Sequence, residues 1–186
     1  MTDLTFHPLT PERWPDLEAL FGPRGAYGGC WCMFWRQTRS EFERLRGETN
    51  RQLFKALVEA GLPTGILAYD AEKPVGWCAV APREEYGSLS RSRVLKPVDD
   101  QPVWSVTCFF VARGWRRRGV TVGLLRAAAD HVRAMGGSVM EGYPTRPRMA
   151  QADPFVYMGT ESAFLQAGFT EAARPSPSRS IMRRSL

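Results

Sequence analysis

Val103-Trp104-Ser105-Val106-Thr107-Cys108-Phe109-Phe110-Val111-Ala112-Arg113-Gly114-Trp115-Arg116-Arg117-Arg118-Gly119-Val120-Thr121 changes character twice within one short stretch. Its first half is β-branched and aromatic, which favours a strand. Apolar residues continue on both faces toward Val111, as expected of a buried strand. A basic, glycine-containing turn follows, and an apolar residue recurs at helical spacing from Val120 onward. The stretch therefore predicts strand, turn and helix, with three arginines where the helix begins. A helix start offers unpaired N–H groups and a partial positive charge. Arginines placed there suit a phosphorylated ligand.

Outward from that stretch, the helix is expected over 120–135, with Leu125, Ala128, Val132 and Met135 on its buried face. Gly136-Gly137 ends it, and 138–143 reads as the next strand. A strand–helix–strand unit of this kind is parallel and right-handed. Upstream, 65–69 and 75–81 read as a hairpin around Asp70-Ala71-Glu72-Lys73-Pro74. A first strand is expected over 4–8. Thr10 followed by Pro11 marks a helix start, with that helix reaching Phe21. Two more helices are expected over 41–45 and 50–60, the second with Leu53, Phe54, Leu57 and Val58 as its apolar stripe. The polar segment 84–101 reads as a loop. Downstream, a short helix over 160–167 stops at Gly168. Two last strands, over 169–173 and 180–184, flank a turn at Arg174-Pro175-Ser176-Pro177-Ser178. The fold class implied is α/β: one mixed sheet of six or seven strands with helices on both faces, in one domain over residues 1–186.

Composition agrees. The chain has 186 residues, 44% of them hydrophobic and 24% charged, enough for one sizeable core. No apolar run approaches the roughly 20 residues that span a bilayer, and the N-terminus lacks a signal-peptide pattern. A cytoplasmic, membrane-free protein is expected. The net charge of +6, from 25 basic and 19 acidic residues, favours anionic partners. The four cysteines, Cys30, Cys32, Cys78 and Cys108, are expected to be reduced. Cys30-x-Cys32 supplies two thiolates without a second suitably spaced pair, so no metal is expected.

Arg116-Arg117-Arg118-Gly119-Val120-Thr121 resembles the Arg/Gln-x-x-Gly-x-Gly/Ala coenzyme motif of the GNAT superfamily of acyl-CoA-dependent N-acetyltransferases. Phe110-Val111-Ala112-Arg113-Gly114-Trp115 resembles the strand end before that motif. Leu124-Leu125 resembles the apolar pair that anchors its helix. Near the end, Ala163-Phe164-Leu165-Gln166-Ala167-Gly168-Phe169 resembles the family's late helix. A P-loop and a dinucleotide fingerprint are both missing.

The resemblance implies acetyl-CoA as acyl donor and a small-molecule or peptide amine as acceptor, with direct attack on the thioester. It implies that Arg116, Arg117, Arg118, Gly119, Val120 and Thr121 cradle the pyrophosphate. Phe109, Phe110 and Val111 would offer backbone groups to the pantetheine arm where the fourth and fifth strands part. Two departures stand out: Thr121 replaces the final Gly or Ala, and Phe164 occupies the place of the usual tyrosine acid. An asparagine often precedes that acid by seven residues, where this chain has Tyr157. Tyr157, Tyr143, Ser162 and Cys108 remain as proton donors. Glu141, on the fifth strand, is the expected base, in a partly buried cleft that raises its pKa toward neutrality. Its alternative is an ion pair with an arginine.

Cys30-Trp31-Cys32-Met33-Phe34-Trp35 lies where this fold commonly borders the acceptor. It reads either as a core plug or as the wall of an apolar or cation-binding pocket. A coenzyme-binding sensor without catalysis and a basic nucleic-acid-binding module are the competing functions. No nucleic-acid motif supports the latter. A homodimer through the terminal strands is left open.

Overall fold

The structure, a computed structural model, describes residues 4–145 and 157–186. Strands β1 (Leu4–Pro8), β2 (Gly65–Asp70), β3 (Lys73–Pro82), β4 (Trp104–Val111), β5 (Val139–Gly142), β6 (Thr170–Ser176) and β7 (Arg179–Ser185) form one sheet in the order β1-β2-β3-β4-β5-β7-β6. Among these strands only β4 and β5 pair in parallel; an isolated parallel bridge also joins Thr145 and Thr160. Between β4 and β5 runs the expected long helix, here called α5 (Val120–Ala134). The earlier helices are α1 (Trp14–Phe21), α2 (Arg39–Leu45), α3 (Glu48–Glu59) and the single turn α4 (Gly87–Ser90); α6 (Glu161–Gln166) follows β5.

Each face of the sheet carries its own core. On one face α5 lays Val120, Leu124, Leu125, Ala128, Ala129 and Val132 over Ile66, Val75, Val106 and Met140, and Phe164 and Phe169 extend that layer. Burying each leucine contributes about 2 kcal/mol. On the other face Leu17 and Phe21 of α1 and Phe54 and Val58 of α3 pack on Leu67, Tyr69 and Trp77.

Several boundaries differ from the sequence reading for local reasons. Met135 lies beyond the end of α5 and is exposed, so the buried stripe runs through Leu124 instead. Leu53 is exposed too; Asn50 takes the inward position, where its Oδ1 accepts from Gln37 Nε2 at 2.8 Å. Thr10 makes no side-chain cap, and Pro11–Arg13 forms a 3-10 turn before α1. The segment read as a loop over 84–101 begins with a 3-10 turn at Arg83–Glu85 and α4. Finally, β6 runs on through Arg174 and Pro175, which leaves only Pro177 and Ser178 for the turn. Proline is tolerated there because β6 is an edge strand.

Candidate active site

β4 is irregular at the centre of the molecule. Ala79 faces Cys108 but Val80 faces Val106, so Thr107 is an extra residue bulged out of the β3 ladder. The bulge re-aims the side chains that follow. Before it, Val106 points into the α5 core; after it, Phe109 does so, and Cys108 and Phe110 turn to the α1 face.

β5 accompanies β4 only from Trp104 to Val106, opposite Met140 to Gly142. Beyond that point the two strands part. Chain from 157–160 enters the gap: Phe109 N–H donates to the Tyr157 carbonyl at 2.6 Å, and Thr145 N–H donates to the Gly159 carbonyl at 3.1 Å. The expected separation of the fourth and fifth strands is present, with one backbone donor of β4 already engaged.

The three strand residues expected to face a ligand are not equivalent. Ala112 N–H bonds back to Val75 on β3 at 2.9 Å, so alternate residues of β4 turn their backbone groups toward β3. Phe110 belongs to that set, which corrects its expected role; its ring packs on Phe21 instead, 5.5 Å between centroids. Phe109 and Val111 belong to the other set and face the gap.

The arginine turn closes the far end of β4. Arg116 Nε donates to the Val111 carbonyl at 3.1 Å, fastening the turn to the strand. Arg117 adopts a left-handed backbone, φ 59°, and Gly119 follows at φ 79°. Gly119 is the N-cap of α5 and has no side chain to offer as a cap. A Cβ at Gly119 would point into open space. The first helical bond runs from Gly123 N–H to Gly119 at 3.0 Å, so the N–H groups of Val120, Thr121 and Val122 have no acceptor within the helix. Arg117 and Arg118 are exposed beside them, Arg118 lying over the Trp115 ring at 5.4 Å. Successive N–H groups, an open glycine and two exposed guanidiniums suit a pyrophosphate. The Val120 side chain is in the α5 core, which leaves only its backbone to face a ligand.

Glu141 departs from its expected role. It lies in no cleft: its side chain is fully buried. Oε1 accepts from Arg83 Nη1 at 2.9 Å and from the Tyr143 hydroxyl at 2.7 Å. Oε2 accepts from Arg183 Nε at 2.8 Å. Both oxygens are taken, so the carboxylate cannot receive a proton from an amine without breaking an ion pair. The sequence showed the residue but not the two arginines, which arrive from Arg83 after β3 and from β7. The network reaches outward as well: Arg183 Nη1 donates to Asp99 at 2.7 Å and Arg83 Nη2 to the Leu95 carbonyl at 2.6 Å, tying the 91–102 segment to the sheet. Two carboxylates and two guanidiniums balance.

Tyr157 sits on the α1 side of the gap. Burial, the larger cause, and the nearby Cys108 push its phenol up to about 12. The Phe34 ring meets it edge-on at 6.3 Å. Phe164 is a core residue, fully buried; its ring lies over Gly142, where a Cβ would stand 2.1 Å from Cε1. Tyr143 is buried within the Glu141 network, and Ser162 is on the first turn of α6 beside Thr160. The aromatic patch divides: Trp31, Cys32 and Met33 are core, with Trp77 Nε1 donating to Cys32 Sγ at 2.8 Å, whereas Phe34 and Trp35 face Tyr157.

Sequence reasoning missed three residues: Arg36, whose guanidinium lies 5.0 Å from the Tyr86 ring centre, Tyr86 itself, and Arg83, which holds Glu141. Tyr86 lies in the segment read as a loop over 84–101, Arg83 just before it, and Arg36 just after the aromatic patch. A tyrosine and an arginine within the charged run Arg83-Glu84-Glu85-Tyr86 were the only available signal. Among the described residues no group of three or more His, Cys, Asp or Glu side chains is placed to hold a metal, and no helix is long and apolar enough to cross a membrane.

Comparison with known proteins agrees with this geometry. No curated protein sequence matches the chain. Solved structures match along nearly its whole length. The PaiA N-acetyltransferase from Thermoplasma acidophilum, in complex with coenzyme A, is 13% identical with a TM-score of 0.55, covering 99% of each chain. Aminoglycoside acetyltransferase AAC(6')-Ib, also in complex with coenzyme A, is 12% identical with a TM-score of 0.56, over 98% of this chain and 95% of that one. Ribosomal-protein-S5-alanine acetyltransferase from Vibrio fischeri is 9% identical with a TM-score of 0.55, over 98% of this chain and 92% of that one. At such identities these likenesses establish the fold. The family model described as "Acetyltransferase (GNAT) family" matches residues 30–148, more than half of the sequence and all of the β4–turn–α5 unit, so this chain belongs to the acetyltransferase (GNAT) family.

Proposed function

We propose that the protein transfers an acetyl group from acetyl-CoA to a primary amine. The observation that carries this reading is the turn at the start of α5, where Gly119 is left-handed and open beside a strand that has lost its β5 partner. The pyrophosphate of the donor fits the N–H groups of Val120 and Thr121, with Arg117 and Arg118 alongside and Arg116 holding the turn in place. The pantetheine arm fits along the gap-facing backbone of Phe109 and Val111. Seating it at Phe109 requires the bond to the Tyr157 carbonyl to yield.

The acyl centre then lies near Cys108, on the α1 face of the bulge. A neutral amine attacks the thioester carbonyl, the C–S bond breaks, and Tyr157 protonates the departing thiolate. The phenolate then takes the proton that the new amide sheds. A phenol held near 12 remains protonated at neutral pH, as a donor must. Glu141 acts through structure: it orders Tyr143, Arg83 and the segment above them. All four cysteines are free, which suits a reducing, cytoplasmic setting.

Titration calorimetry with acetyl-CoA tests the reading. Saturable binding is expected, and Gly119→Val should weaken it at least tenfold. A β-branched residue is strained at φ 79° and intrudes where the phosphate approaches. Absence of saturable binding by the unaltered protein would overturn the assignment.

A further inference from the structure

Arg36, at the end of the aromatic patch, is a buried cation. Its side chain is 6% exposed, and it spends one nitrogen on Glu85, Nη1 to Oε2 at 3.0 Å. The other, Nη2, is buried with no hydrogen-bond partner among the described residues. Its guanidinium stacks 5.0 Å from the centre of the Tyr86 ring. Tyr86 is 1% exposed, and its hydroxyl also has no partner among the described residues, as does Trp35 Nε1. An unmade bond of this kind costs about 1–3 kcal/mol for each buried group.

These donors share one place. Tyr86, Tyr143 and Met158 form a buried cluster against which Trp35 and Tyr157 pack. The Tyr86 hydroxyl lies toward Thr107, the bulged residue of β4, short of hydrogen-bond geometry, and the Tyr157 carbonyl accepts from Phe109 N–H at 2.6 Å, so the cluster reaches β4 at the bulge. The cluster therefore adjoins the point on β4 where the acyl carbon is placed above. Among the described residues, positive charge there is in excess. Arg179, on the same side and close to Tyr157, donates to the Tyr143 carbonyl at 2.6 Å and has no carboxylate partner among the described residues. Among the described residues, Arg36 and Arg179 bring two guanidiniums to this side, and Glu85, paired with Arg36 and itself partly exposed, is the carboxylate recorded against them.

We propose, resting on the acetyl-transfer reading above, that the acceptor is an amine that also carries a carboxylate, an amino acid in the chemical sense, with that carboxylate bound by Arg36 Nη2 and the Tyr86 hydroxyl. A guanidinium offers a carboxylate a planar fork of donors. A phenol that burial keeps protonated supplies another, and the site's positive balance is met by the ligand's negative charge. The aromatic wall of Phe34, Trp35 and Tyr157 suits the apolar part of the acceptor.

The test is thiol release from acetyl-CoA with matched acceptors: the twenty amino acids, their amides and their decarboxylated amines. At least one amino acid should exceed its amide and its amine by tenfold or more in kcat/KM. Arg36→Gln should raise KM for that amino acid tenfold or more and leave KM for its amide unchanged, with acetyl-CoA affinity intact. Tyr86→Phe, which keeps the ring, should do the same more mildly and serves if Arg36→Gln does not fold. Equal use of each matched set, or a protein that binds acetyl-CoA and acetylates no amino acid, overturns the proposal while the coenzyme reading stands. Failure to bind acetyl-CoA at all would remove both.

Discussion

Glu141 shows how far a single side chain's identity falls short of its role. A carboxylate on the fifth strand suggested a base; the two guanidiniums and one phenol that close around it make it a buried counter-ion. Removing one member of such a set strands the others, at a cost of about 3 kcal/mol. Glu141→Gln is therefore expected to lower stability by about that amount in urea titration, with acetyl-CoA affinity unchanged because α5 and its turn lie elsewhere. A variant of unaltered stability but lost turnover would return Glu141 to the proton path. Tyr157→Phe makes the complementary case. It should cost turnover about a hundredfold, the lower range for a general acid, without loss of coenzyme binding, as steady-state rates and calorimetry would show.

Between elements, close approach is the recurring device. The Phe164 ring reaches the sheet because residue 142 has no side chain, and α6 docks on that contact. Gly142→Ala should destabilise by about 2 kcal/mol through overpacking. Phe164→Leu in the same chain should recover part of that loss, and a double-mutant cycle from denaturant curves would measure the coupling. This docking also explains what was legible beforehand. The late Gly-Phe and the strand–turn–helix were visible because each is written in contiguous residues with a fixed period. The Arg83–Glu141–Arg183 set was not, because its members come from three separate segments. Periodicity likewise misjudged Leu53 and Met135, whose exposure depends on where a helix stops covering its neighbour rather than on spacing.

For the whole molecule, the sheet is the structural member common to both cores. The apolar residues of β4 serve one face or the other, and the bulge at Thr107 changes which. The two faces are thus expected to unfold together. Tryptophan fluorescence, with Trp14, Trp31 and Trp77 on the α1 face, and far-ultraviolet dichroism, to which α5 and the helices of the other face both contribute, should give coincident denaturant transitions. Separated midpoints would mean that the chain folds as two units instead of the single domain expected from its length.

The parting of β4 from β5 has one more consequence. Beyond Val106, β4 is a sheet edge that lies inside the molecule. Free edges invite any passing strand to pair, and proteins blunt them with charge, irregularity or cover. The outer edge β6 carries Glu171, Arg174 and Pro175 and pairs irregularly with β7. The inner edge is guarded by its own chain, through the Tyr157 carbonyl on Phe109 N–H. The bond that the donor's arm would displace on the proposed reading also keeps a foreign strand from annealing there, so the inner edge is protected from self-association.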